Sequence, residues 1–131
     1  MRKGMSLVEI LITVTIIGIL ASIGLITMND QVKRSRDDRR RIHLTKIQTA
    51  LETYRASNLS LGYPANLNQL EPLYIDGALP IDPSSYTYYY RRIDENSYTL
   101  CAYLETGGQD DCGGNCSAPG NCNFEIKNPS L

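Results

Sequence analysis

The stretch Arg2-Lys3-Gly4-Met5-Ser6-Leu7-Val8-Glu9, running on through ILITVTIIGILASIGLITMN (10–29), decides how the rest of the chain is read. From Ile10 to Asn29 there is no Asp, Glu, Lys or Arg, and the run reaches the roughly 20 residues a spanning helix needs. It is too long for the usual apolar core of a cleavable secretory signal, although Ala21-Ser22 offers small residues where such a signal would be cut. Glu9 stands at the head of this run. A carboxylate in hydrocarbon costs roughly 2.5–3.5 kcal/mol, so it is expected to be interfacial, paired or functional. Ser6-Leu7-Val8-Glu9 fits a capping box, which would satisfy orphan amides at a helix start and hold Glu9 near the membrane surface.

The helical pattern continues past the apolar run. Ile47, Leu51 and Tyr54 recur at helical spacing, flanked by Leu44 and Ala50, and the first proline is Pro64. One helix is predicted from about Ser6 to Ser57, its second half (30–57) amphipathic and packed on a sheet. Between the halves lies KRSRDDRRR (33–41), read as a solvated helix face with its arginines on exposed turns, supported by Asp37–Arg41 and Asp38–Arg41 pairs. Contact with lipid headgroups or with an acidic neighbour is the other reading of that run. Binding of nucleic acid is not expected, because the 131-residue chain has a net charge of −1 and no global basic excess.

After Ser57 the composition turns to loop, with Pro64, Pro72, Pro80 and Pro83 before residue 85 and one short helical turn expected in NQLEPLYI (68–75). YTYYYRR (86–92) and SYTLCAYLE (97–105) read as strands joined by Ile93-Asp94-Glu95-Asn96, and a third strand is expected near 123–127. Alternation puts Tyr86, Tyr88 and Tyr90 on one face and Thr87, Tyr89 and Arg91 on the other, as packing and interface residues rather than a platform for bases. Cys101, Cys112, Cys116 and Cys122 lie in or beside a Gly, Asn and Asp-rich segment that cannot fold by burial alone. They read as two disulfides in an oxidising compartment, and sequence does not choose among the three pairings. Cys112–Cys122 with Cys101–Cys116 is the pairing we expect. A zinc site is the rival, with irregular spacing against it. The fold class is therefore α+β: a long N-terminal helix packed on a small antiparallel sheet, with a disulfide-stapled C-terminal loop.

The first 30 residues also resemble type IV pilins and the related pseudopilins of type II secretion. A short basic leader ends in glycine, then a hydrophobic residue, then small-apolar-apolar-glutamate opens a long apolar helix; Met5 stands where phenylalanine is usual. The resemblance implies a prepilin leader (1–4), a membrane and filament-core half-helix (5–29), the amphipathic half (30–57) and a globular head (58–131) with a loop (58–85) and sheet (86–127). It implies cleavage after Gly4 by a prepilin peptidase and N-methylation of Met5. The freed amine is largely cationic at neutral pH, so Glu9 of one subunit pairing with Met5 of its neighbour would fix the axial offset between helices.

Further expectations come with it. The partners are copies of the same chain in a helical filament, an inner-membrane assembly platform, and membrane lipid before assembly. The chain is then a single-pass cytoplasmic membrane protein that ends in an extracellular pilus or periplasmic pseudopilus. This outvotes the positive-inside count, in which Lys33, Arg34, Arg36, Arg39, Arg40 and Arg41 exceed Arg2 and Lys3. Leu79-Pro80-Ile81-Asp82-Pro83 resembles the element that leads into the first strand of major pseudopilins, whereas the cysteine-rich loop favours a surface pilin. Related pilins often carry a mid-helix proline; here Gly18 and Gly24 are the bend candidates. Some major pseudopilins bind calcium beside the last strands, which makes Asp110 and Asp111 the calcium candidates. No cofactor and no enzyme activity are expected: the only histidine, His43, lies in the helix, and no nucleophile triad or phosphate loop occurs. A membrane-anchored extracytoplasmic binding domain is the remaining alternative.

Overall fold

The computed structural model describes residues 6–128. Helix α1 runs Leu7–Ser57, followed by a short 3-10 turn at Leu67–Leu70 and strands β1 (Tyr89–Arg92), β2 (Tyr98–Ala102) and β3 (Phe124–Ile126). The chain divides into two units, residues 1–33 and 34–131. The helix starts one residue later than expected. The amide of Glu9, which a capping box would give to the Ser6 hydroxyl, donates instead to the Ser6 carbonyl at 3.0 Å. Gly18 and Gly24 both lie within continuous α-helix.

In the second unit the core forms where the helical stripe meets the sheet. Leu44, Ile47, Ala50 and Leu51 are buried against Tyr98, Leu100 and Ala102 of β2. Tyr63, Leu70 and Ile75 of the long loop complete that cluster, with Tyr54, Tyr88, Tyr90, Phe124 and Ile126 packed on its margin. The 3-10 turn carries Leu70 into the core, which explains why a polar connection contains an ordered turn.

The sheet is antiparallel in the order β1-β2-β3, with Tyr90 opposite Leu100 and Leu100 opposite Ile126. Every residue of β2 is buried, although an antiparallel strand with one wet face would alternate. The reason is a second cover: Cys101 points away from the helix into a cluster with Cys112, Cys116, Cys122, Tyr89, Tyr103 and Ala118. Tyr88 and Tyr90 thus pack on the helix side and Tyr89 on the disulfide side, as alternation requires.

Two strands are shorter than the sequence suggests, because their backbone groups are recruited elsewhere. The Thr87 amide bonds the Cys116 carbonyl at 2.9 Å and the Tyr86 amide reaches Asp82 Oδ1, so 86–88 stay outside the ladder. Beyond Ala102, Asn123 takes both the amide (2.6 Å) and the carbonyl (3.0 Å) of Leu104. The amides of Glu105 and Thr106 then turn to Asp37.

The disulfides are Cys101–Cys112 and Cys116–Cys122, not the expected Cys101–Cys116 and Cys112–Cys122. Gly113 at φ +60° turns the chain directly after Cys112, and the Cys122 amide bonds the Gly114 carbonyl, which brings Cys122 beside Cys116 rather than Cys112. Gly114 also lies flat on Tyr89, where a Cβ would come within 2.4 Å of the ring. Both bridges close short loops, with separations of 11 and 6 residues. Chain-entropy arguments assign each about 2–3 kcal/mol. Replacing Cys116 and Cys122 together by serine is expected to lower stability by about that amount, read as an earlier urea midpoint; an unaltered midpoint would show that the loop is held by packing on Tyr89 and Tyr103 alone.

Candidate assembly helix and ionic anchor

The described side chains of the first unit present an exposed apolar surface. Among described residues from Leu7 to Ile23, the large apolar side chains are between 49% and 80% exposed. The hydroxyl side chains in this stretch are satisfied by the helix itself: Thr13, Thr15 and Ser22 donate to the carbonyls of Ile10, Ile12 and Ile19 at 2.7–2.8 Å. A hydroxyl satisfied by its own helix does not need water, so the surface suits lipid or another helix. By length and composition α1 can cross a membrane. Glu9 is the one ionisable side chain from Leu7 to Asn29, is exposed, and has no ion-pair partner among the described residues. Gly4 and Met5, the predicted cleavage and methylation residues, lie outside the described residues.

The second unit contains an ionic cluster that corrects the reading of residues 33–41 as a solvated face. Arg40 is fully buried and Asp37 is 2% exposed. Arg40 Nε donates to Asp82 Oδ2 at 2.6 Å, Nη1 to Asp37 Oδ1 at 2.7 Å and to Glu105 Oε1 at 2.8 Å, and Nη2 to Asp82 Oδ1 and Ser84 Oγ. Arg36 grips Glu105 with two bonds, Nε at 2.8 Å and Nη2 at 2.5 Å. Asp37 also accepts the amides of Glu105 and Thr106 and the Thr106 hydroxyl. The Tyr86 ring lies under the Arg40 guanidinium, 5.2 Å from its carbon. Asp37 therefore pairs with Arg40 rather than Arg41, which stacks on Phe124 at 4.5 Å.

The electrostatics follow from this geometry. Burial alone would lower the Arg40 pKa, but hydrogen bonds to Asp82, Glu105 and Asp37 outweigh it and raise it above the ordinary arginine value. Burial pushes the Asp37 carboxyl up, and the Thr106 hydroxyl with the amides of residues 105 and 106 pulls it below its usual value. Asp82 behaves likewise, with Arg40 and the Ser84 amide outweighing burial. Glu105, held first by Arg36 and then by Arg40, falls to about 2. The cluster ties three sequence-distant segments together: the start of the head's helix, the Leu79–Pro83 element through Asp82, and the residues that end β2.

Sequence reasoning singled out the Leu79–Pro83 element by resemblance, but missed Arg36, Asp37, Arg40 and Glu105 as a unit. A signal was present. Arg40 extends the buried stripe Leu44, Ile47, Leu51 backwards by one turn, and an ionisable residue on a core stripe needs a partner.

The Nδ1 of His43 is 2.7 Å from the Tyr88 hydroxyl, and burial lowers its pKa. Asp110 accepts the Glu125 amide and Asp111 the Gly113 amide, both at 3.0 Å. Among the described residues, no group of three or more His, Cys, Asp or Glu side chains is arranged to hold a metal ion.

Comparison with curated proteins and with solved structures finds no match. The prokaryotic N-terminal methylation motif matches residues 1–25, the leader, glycine, acid and apolar helix described above. That motif implies processing by a prepilin peptidase and assembly into pilus-type filaments. The chain carries the prepilin-type signal of type IV pilins and pseudopilins over residues 1–25, together with a long helix and a small disulfide-stapled sheet domain.

Proposed function

We propose that the chain is a structural subunit of a type IV pilus-like surface filament, inserted in the membrane as a prepilin, cut after Gly4, N-methylated at Met5 and polymerised through its N-terminal helix. The observation that carries this reading is the exposed apolar helix with satisfied hydroxyls and one carboxylate, Glu9, four residues from the motif's new N-terminus. In a bundle of such helices, apolar contact supplies affinity without fixing the axial offset, since a lipid-facing surface fits in many registers. Pairing of Glu9 with the Met5 amine of a neighbour selects one offset, because every other leaves two charges in an apolar medium. A heterologous contact of this kind propagates into an open helical assembly.

A pseudopilin of a type II secretion system is the second reading, favoured by the Leu79–Pro83 element, whose Asp82 is buried against Arg40. The N-terminal residue and intact mass of the chain recovered from its native membrane or surface test the common part. A start at methylated Met5, two hydrogens lighter per disulfide, is expected. A start at Met1 would mean an anchored domain, and one near Ser22 a secreted protein; either sinks the filament reading. Recovery in a sheared surface fraction marks a pilus, and retention in the envelope a pseudopilus.

A further inference from the structure

The charge run 33–41 carries six cations in sequence, but the structure divides them by use. Within the second unit, Arg36 and Arg40 are consumed by Asp37, Asp82 and Glu105, a cluster of two cations and three acids that is closed on itself. Arg34, Arg39 and Arg41 remain exposed, without an ion-pair partner among the described residues, and Asp38 is the one exposed acid from Arg34 to Arg41. The exposed surface from Arg34 to Arg41 is thus basic by two charges, three cations against one acid.

We infer that Arg34 and Arg39 bind anionic phospholipid headgroups of the membrane that holds the precursor. This rests on the proposed membrane span. Three observations favour lipid over a protein partner. Arg34 follows Met28, the last apolar residue of the run, by six residues, and Arg39 follows it by eleven. Side chains on a helix lean toward its N-terminus, the end of the chain that carries the apolar run. And the cations do not share a face: Arg34 and Arg41 lie on one side and Arg39 about 140° around the helix. A flat protein surface covers one side of a helix, whereas headgroups surround it. The internal cluster removes Asp37 from the surface, so that Asp30 and Asp38 are the exposed acids left within four residues of Arg34.

The test uses the full chain in detergent micelles containing equimolar phosphatidylglycerol and phosphatidylcholine, with retained lipid counted by native mass spectrometry. The expected result is roughly threefold or greater enrichment of phosphatidylglycerol, falling toward parity in R34Q/R39Q and in high salt. Parity in the wild-type chain overturns the inference while leaving the span intact. Enrichment that survives R34Q/R39Q also overturns it, placing the anion preference elsewhere. Retention of no lipid of either kind overturns the span and the inference together. A further result counts against lipid: parity in micelles combined with a loss of filaments specific to R34Q/R39Q would assign these arginines to an acidic surface of a second copy.

Discussion

Replacing Glu9 by glutamine is expected to reduce filament yield by about tenfold or more while membrane levels of the precursor stay the same or rise. The direction follows from two opposed effects. Glutamine removes a charge whose insertion costs roughly 2.5–3.5 kcal/mol, so the membrane-held monomer is not harmed. In the filament the same change leaves the amine of the neighbouring Met5 without its counter-charge in an apolar bundle, and stripping one partner from a buried pair costs about 3–5 kcal/mol. Because each subunit meets that cost once, the polymer is penalised at every step and the monomer is not. Aspartate is the informative companion: it keeps the charge but is shorter by one methylene, so partial assembly is expected. The readout is the ratio of sheared filament to membrane-bound chain, by immunoblot. Equal ratios for wild type and E9Q would show that the carboxylate serves only the helix start, and the proposed register mark would be lost.

The second large effect belongs to the head. Substituting Arg40 by methionine leaves Asp37, Asp82 and Glu105 without their shared cation, at a site where Arg40 and Asp82 are almost wholly buried. A loss of about 3–5 kcal/mol is expected. For a small domain that is a large fraction of the total stability. It should appear as a fall in the urea midpoint of the full chain in detergent, with the Tyr86 environment altered as well, since that ring loses its cation. Glu105→Gln is the milder probe. Glu105 is partly exposed, and Asp37 and Asp82 still hold Arg40 in its absence, so a loss of about 1–2 kcal/mol is expected.

The same cluster sets an acid limit. Asp37, Asp82 and Glu105 all have folded pKa values below their ordinary ones. Groups with depressed folded values contribute stability that is fully present above their unfolded values, near 4, and is lost as pH falls through the folded ones, about 2 for Glu105. Wild-type stability should therefore be level above about pH 5 and fall steeply between about pH 4 and 2. In R40M the buried acids prefer protonation, so that fall should flatten or reverse. An acid limb of the same slope in both chains would mean that other carboxylates govern it.

The residues that set the architecture act locally, and they were legible one after another along the chain. Twenty residues without a charge, a core stripe at Leu44, Ile47 and Leu51, and two tyrosine-rich runs around a polar turn each carry their own period, and period is a property of neighbours. The same holds for the processing signal, which is read as a linear string. Tertiary structure decided what depends on distant segments meeting. Cys101 bonds Cys112 because Gly113 turns the chain there, and no count of cysteines contains that turn. Strand β2 is buried on both faces because the disulfide loop folds over it, and β1 starts late because Cys116 takes the Thr87 amide. Arg40 leaves the solvent because Asp82 and Glu105, 42 and 65 residues onward, arrive with three carboxylate oxygens aimed at one guanidinium. Charge alone assigns such a residue to water. Only the partners brought by the fold offset its desolvation, and those partners are set by where the backbone goes.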